Sequence, residues 1–325
     1  MSTQTTKDLE TLLKARYGKG PEVLDALNPT IETLFQHKSV RGFTNQPLAP
    51  NTAELLVAAA QSASTSSNLQ TWSVVAVEDQ GRKDRLAAMA GNQKWISACP
   101  LFLVWVADLA RLKALGDEHQ HAYESLNYLE MLLMGTIDAS LAAQNATIAA
   151  ESLDLGIVYI GGIRNKPLDV AKELGLPPMS FATFGMCVGH PDPATTAKNV
   201  VKPRLPQRAV LHRETYHPTA HKEAVDAYNV TMEKFYAEQA MKPLGPWHIQ
   251  SLNRVRGPEA MAGRDLLVDA LKKLGFDMRY QSQGVRASAL TLFSFLHLPH
   301  LRVRTLSRDQ VLMRAALNHS PVLHH

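Results

Sequence analysis

The sequence predicts a mixed α/β or α+β fold. Four strand-length apolar runs, at residues 73–77, 101–107, 157–160 and 181–188, are separated by segments with helical periodicity. One of them, LFLVWVA at 101–107, is apolar throughout, as a strand buried on both faces should be. Residues 121–154 contain no proline and a single glycine, so one long helix is expected among the strands.

Taken in order, residues 1–27 read as an N-terminal extension with one short helix at 7–15. Pro29 supplies the start of a helix from Thr30 through Phe35, and Pro50 with Asn51 starts another over 51–62. A strand at 73–77 follows, then a helical pattern over 82–90, and Pro100 marks the entry to the strand at 101–107. The helix expected over 121–154 would hold about 33 residues and run about 50 Å. Gly135, Ala139, Ala142, Ala143, Ala146, Ala149 and Ala150 recur along it at three- and four-residue steps. So small a face admits a close neighbour. A subunit interface is expected there, with intrachain packing as the alternative. Gly161 and Gly162 stop the strand at 157–160, a short helix covers 168–174, and Gly189-His190-Pro191 closes the strand at 181–188. Residues 220–239 form an amphipathic helix, 240–258 a loop with its prolines and glycines, and 260–274 a further helix. From 281 the composition shifts: the last 45 residues carry five arginines, no lysine and one acidic residue. Ser307 is a candidate cap for a short helix over 308–317.

The chain has 325 residues, 45% hydrophobic and 20% charged, enough to bury a substantial core. Its 34 Lys+Arg against 30 Asp+Glu give +4, which fits anionic small molecules. Aromatics at 6% and dispersed basic residues argue against a nucleic-acid-binding module. Cys99 and Cys187, with no Cys-x-x-Cys, read as buried thiols in a reducing compartment. The N-terminus has no apolar signal region and no apolar run is long enough to span a bilayer, so a cytoplasmic protein without a membrane partner is expected. There is no Gly-x-Gly-x-x-Gly after a strand, no P-loop, no His-Glu-x-x-His and no Gly-x-Ser-x-Gly. His119 and His121 are two apart, the wrong spacing for one helical face, and no metal site is expected.

Four segments carry chemistry. In HKSVRGF (37–43), an extended chain turns His37, Ser39 and Arg41 to one side and Val40 to the other, a grip for a phosphate. A solvated turn is the alternative, and alone it would be preferred. In VKPRLP (201–206), Pro203 keeps the chain extended, so Lys202 and Arg204 alternate in the same way. The alternatives are a basic linker or a proline-type recognition motif. In VYIGGIRN (158–165), a strand ends in two bare glycines that leave room for a flat ligand, or that simply make a tight turn. In SASTSSNLQTW (62–72), five hydroxyls fall in six positions, more than a turn needs. Together, two basic extended segments, a hydroxyl-rich loop and a Gly-Gly turn suit a flat ring joined to a polyol and a phosphate, the shape of FMN.

With these residues the chain resembles the flavin-dependent nitroreductase family, in its NADPH-dependent, oxygen-insensitive nitroreductase and flavin reductase branch. The likeness runs over residues 28–276 and includes HKSVRGF, SSNLQTW, GNQKW (91–95), the stretch 138–165, FGMCVGHP (184–191) and KPRLP (202–206), in the family's order and spacing. The resemblance implies an α+β, nitroreductase-like fold: a central, mostly antiparallel sheet flanked by helices, with a long central dimer helix. It implies a homodimer with two FMN sites at the subunit interface, each built from both chains. The FMN-binding domain would then be 28–280, with 281–325 a tail of unknown role.

By the same resemblance His37, Ser39, Lys202 and Arg204 bind the FMN phosphate, with Lys38 nearby. Arg41 lies by the flavin N1/O2 edge, Gln93 meets the pyrimidine end, and Tyr159, Ile160, Gly161 and Gly162 line the ring. Ser64, Thr65, Ser66, Ser67 and Leu69 come from the other subunit. Chemistry is carried by the cofactor, with Arg41 as electrostatic support: ping-pong hydride transfer from NADPH through FMN to nitroaromatics, quinones, free flavin or chromate. Asn68, Arg164 and Arg264 belong to the acceptor pocket, although Arg164 is equally read as a surface charge at a helix start. A flavin-binding redox sensor or carrier with little turnover is the alternative in another class. Two departures stand out. The loop AEQAMKPLGPWH (237–248) has Lys242 as its only basic residue before His248, where relatives often hold the NADPH 2′-phosphate with arginines, so NADH is kept as an alternative reductant. Asn68 stands where some relatives have an aromatic residue.

Overall fold

The computed structural model describes residues 3–17, 28–197 and 199–279. The tail from 281 and its candidate helix over 308–317 lie outside the described residues. Helix α1 (Thr3–Tyr17) packs against α2 (Pro29–Gln36), which Asn28 caps by accepting from the Ile31 N–H. Then come α3 (Thr52–Gln61), β1 (Trp72–Val77), α4 (Gln80–Met89), α5 (Lys94–Ala98), β2 (Leu101–Asp108) and α6 (Ala110–Glu118). The second half of the body runs α7 (Leu129–Ser152), β3 (Gly156–Ile160), α8 (Pro167–Leu174), β4 (Ser180–Gly189), α9 (Pro193–Thr196), α10 (His221–Glu238), α11 (Trp247–Arg254) and α12 (Leu267–Lys273).

Among the described residues the four strands form one sheet in the order β1-β2-β4-β3, antiparallel throughout. The order explains the apolar run at 101–107. Strand β2 is central, with Leu103 opposite Met186 and Phe102 opposite Cys187 on β4. Helices cover both faces, so its two alternating sets of side chains are both buried. Leu101, Leu103 and Trp105 join the core under α3 and α7, with Leu56, Ala142 and Ala146. Phe102 and Val104 join a second core under α4, α5 and α8, with Leu86, Ile96 and Val170. The two cysteines are buried and free, as expected, and lie in this second core.

Four expectations need correction. The helix expected over 121–154 is shorter: α7 holds 24 residues, about 36 Å. A 3₁₀ turn (Glu124–Asn127) precedes it, and Tyr128 is extended at φ −95°, ψ 150°. Tertiary pairing overrides the helical pattern there. Tyr128 bridges to Arg279, whose N–H donates to the Asn127 carbonyl at 2.8 Å. The small-residue face of α7 does not form an outer surface either. Ala139, Ala142, Ala143, Ala146 and Ala150 are wholly buried against the chain's own sheet and α3. Small side chains let α7 lie close on the sheet. The outer face instead shows Leu129, Leu133, Ile137 and Leu141, each 44–57% exposed, at four-residue steps.

The stretch 240–258 is not all loop. Trp247–Arg254 forms α11 because its Trp247 packs edge-on against Tyr228 of α10 and the His248 N–H donates to Asn229 Oδ1. The helix expected over 260–274 is broken. Ala262 (φ 54°) and Gly263 (φ 84°) are left-handed, so only α12 continues.

Ala142→Leu should place a branched side chain into the buried α7–sheet contact and cost about 2 kcal/mol. Urea unfolding of the full chain checks this, and an unchanged midpoint would place that face elsewhere.

Candidate functional site

The segment after α2 is extended and pinned to the sheet edge by the Val40 N–H, which donates to the Ile157 carbonyl of β3 at 2.8 Å. Val40 turns inward, 3% exposed, and its neighbours turn the other way. The second basic segment behaves alike: Pro203 is buried, its carbonyl accepts from Tyr228 Oη at 2.9 Å, and Lys202 and Arg204 stay exposed. The two segments meet. His37, Lys38, Ser39, Arg41, Lys202 and Arg204 line one cavity of about 460 Å³.

This cavity is electropositive. Partial burial, although the side chain keeps an exposed face, then Arg41 and Arg204, holds the Lys202 ammonium below its ordinary value. Among the described residues no carboxylate pairs with Lys38, Arg41, Lys202 or Arg204. His37 itself meets an acid behind the wall: Glu151, at the end of α7, accepts from His37 Nδ1 at 2.6 Å and so sets the imidazole's orientation. Sequence reasoning missed Glu151 and the rest of the wall, Asn199, Val200, Phe235, Gln239 and Met241. Phe235 comes from the last turn of α10, and Gln239 and Met241 from the chain just after it, a contribution that only tertiary packing reveals.

The Gly-Gly turn sits at the end of β3. The two glycines differ in what they need. A Cβ at Gly162 would collide with the Ala90 carbonyl, so that glycine serves packing. A Cβ at Gly161 would meet only the tips of Arg164 and Arg264, at 3.5 and 4.0 Å, so the space over Gly161 is bounded by side chains and not by backbone. Tyr159 is the exposed residue of an otherwise buried strand, while its neighbour Ile160 is buried. Thr147 Oγ1 lies 2.9 Å from the Tyr159 hydroxyl, and burial there pushes its pKa up to about 12. The tyrosine is therefore a neutral, fixed wall at ordinary pH.

Gln93 follows the loop that abuts this turn, and its Oε1 accepts from Trp95 Nε1 at 2.9 Å. Arg164 and Arg264 come together as expected. Both line a more apolar cavity of about 580 Å³ with Arg254, Pro258, Met261 and Leu267. Arg164 donates to the Thr183 carbonyl, and burial, then Arg264, lowers its pKa.

The hydroxyl loop is elsewhere. Buried Asp138 on α7 holds it, accepting from the Ser66 N–H at 3.1 Å, the Thr71 N–H at 3.1 Å and Thr71 Oγ1 at 3.0 Å. Thr65 Oγ1 accepts from the Gln70 N–H, and Ser67, Asn68 and Gln70 are left-handed at φ 50–54°. Ser64, Ser66, Ser67 and Asn68 are exposed, and Leu69 is half-buried. Asp138 and Glu151 are thirteen residues apart on one helix, about 20 Å along its axis. The loop therefore stands well away from the cavity of its own chain, and Asn68 is not on the wall shared by Arg164 and Arg264.

Two family models match the chain: "Nitroreductase family" over residues 34–190 and "Nitroreductase family, C-terminal domain" over 202–279. A protein of Bacillus subtilis named FMN reductase (NADPH) is 40% identical over 255 residues, 77% of this chain and 99% of that one. An oxygen-insensitive NADPH nitroreductase of Salmonella typhimurium is 38% identical over 211 residues, 65% of this chain and 83% of that one. A nitroreductase of B. subtilis of known structure superposes with a TM-score of 0.71 at 38% identity, covering 77% of this chain and all of that one.

Asp138→Ala should leave three donors of the hydroxyl loop unpaired and cost about 3 kcal/mol. Amide exchange at Ser66 and Thr71 should quicken with it, and unchanged protection at both would dismiss Asp138 as the loop's anchor.

Proposed function

The chain is a member of the nitroreductase family, and from that premise we propose that it is an FMN-dependent NAD(P)H oxidoreductase. One observation carries the reading: two basic segments more than 160 residues apart converge on one cavity that lacks a neutralising acid on its Lys and Arg groups. The donor set fits a phosphate dianion. Lys202 supplies a compact charge, Arg204 supplies a planar fork, and Ser39 and His37 add hydroxyl and imidazole donors. The clear space over Gly161 and the exposed face of Tyr159 fit a flat ring.

When bound, FMN supplies two-electron redox chemistry at its flavin ring. The chain's residues bind, orient and bias it. His37, Lys38, Ser39, Lys202 and Arg204 hold the phosphate. Arg41 adds a cation beyond that clamp, where it stabilises negative charge on the reduced ring system. Gln93 offers its amide to the ring's polar edge, while Tyr159, Ile160, Gly161 and Gly162 form the wall. Arg164 and Arg264 favour an electron-poor or anionic acceptor in the adjoining apolar cavity. Nitroaromatics, quinones, free flavin and chromate share that character, and ping-pong exchange on one face needs no acid–base triad.

We further infer a homodimer built on the outer face of α7. Its stripe of Leu129, Leu133, Ile137 and Leu141 is an exposed apolar surface of the kind that marks an interface. Ile137 adjoins Asp138, so an interface there carries the hydroxyl loop toward the other subunit. Ser64, Thr65, Ser66, Ser67 and Leu69, with Asn68 at the acceptor side, then serve the partner's flavin. The distance of the loop from its own cavity supports this assignment.

The purified full chain should be yellow and should oxidise NADPH, and NADH within about tenfold, when given a nitroaromatic or a quinone. A colourless protein that FMN cannot reconstitute would overturn the assignment. The double variant Leu133→Glu, Ile137→Glu should sediment as a monomer at concentrations where the parent is a dimer, with weaker flavin retention. A variant that remains dimeric would move the interface to another face.

A further inference from the structure

Helix α1 lies outside the residues that either family model matches, yet it reaches the candidate phosphate cavity. Leu13 is buried, and Arg16 is 5% exposed, one of few charged groups enclosed in the described body. The Arg16 guanidinium makes no ion pair among the described residues. It spends its donors on backbone. Nη2 donates to the Phe35 carbonyl at 2.8 Å and the His37 carbonyl at 3.0 Å, and Nη1 donates to the Lys202 carbonyl at 3.3 Å. In return the Arg204 N–H donates to the Arg16 carbonyl at 2.7 Å.

These four bonds touch both arms of the cavity, the segment with His37 and the segment with Lys202 and Arg204. The arms are otherwise anchored separately, one on β3 through Val40 and one on α10 through Pro203. Just before the second arm, Asn199 Nδ2 reaches the Ser39 carbonyl over a long 3.5 Å. A planar fork is the side chain suited to spanning three carbonyls at once. A carbonyl aimed at Arg16 also turns the following N–H of a trans peptide to the opposite side.

We propose that Arg16 is a positioning residue for anion binding, a strap from the N-terminal helix that fixes the spacing of the two basic arms. The proposal rests on the reading of that cavity as the FMN phosphate site. Arg16 itself stands behind the wall and does not touch the ligand. Burial and then Arg204 lower its pKa, so Arg16 shares the like-charge repulsion of the cavity, which a bound dianion would offset. The two arms repel each other through their own cations, so their separation needs an active constraint.

The test compares FMN with riboflavin, which has the same ring and polyol but no phosphate. Dissociation constants are measured by flavin fluorescence on the full-length protein stripped of flavin, as parent, Arg16→Ala and Arg16→Lys, with circular dichroism reporting the fold. Arg16→Ala should weaken FMN about tenfold and riboflavin by less than about twofold, and Arg16→Lys should fall between parent and Arg16→Ala. If Arg16→Ala does not fold, Arg16→Lys carries the same comparison. Equal weakening of both flavins would reduce Arg16 to a general packing role, and unchanged FMN preference would remove it from the site. A parent that binds both flavins equally would sink the phosphate assignment itself, and this proposal with it.

Discussion

Like-charge repulsion among Arg16, Arg41, Lys202 and Arg204 is the constraint that the surrounding structure must withstand. Among the described residues none of these groups pairs with a carboxylate, and two of them rest on backbone instead. Arg16 is satisfied by backbone carbonyls, and Arg204 leans on the carbonyls of Lys202 and Pro203. Val40 and Pro203 nail the two arms to the sheet edge and to α10. Partial burial and cationic neighbours both disfavour the charge of Lys202. On the proposed reading, such an arrangement costs stability that a bound anion restores.

The sheet is the other half of that bargain. Because β2 and β4 are central and covered on both sides, they form a rigid floor from which β3 presents Tyr159 and the Gly-Gly turn. Gly162 cannot be replaced without moving the Ala90 carbonyl, so the turn is locked to the loop that carries Gln93. Rigid elements place Tyr159 and the Gly-Gly turn, while side chains alone border Gly161.

Much of this was legible in the sequence, for identifiable reasons. The strands could be read because their apolar runs are short, three of them with proline or glycine at an end, and β2 because it alternates nowhere. The basic arms could be read because Val40 and Pro203 impose period two on their neighbours. What failed depended on partners distant in sequence. Nothing local to Tyr128 shows that Arg279 will pair with it, and nothing in Trp247 shows that Tyr228 will receive it. The alanine face of α7 was recognised as a close contact, but small residues do not say whether the close neighbour is a second chain or the protein's own sheet. Arg16 was invisible for the same reason: an arginine that binds carbonyls leaves no motif.

The spacing of Asp138 and Glu151 along α7 has a thermodynamic consequence. One helix orders a loop at one station and orients a clamp residue some four turns further on. In the proposed assembly those two stations belong to different flavins, so neither binding site is complete within one chain. Cofactor occupancy and subunit association then become linked equilibria: whatever tightens one must tighten the other by an equal free energy. Dilution would strip the cofactor, and cofactor would hold the pair together, with no conformational change required of either subunit.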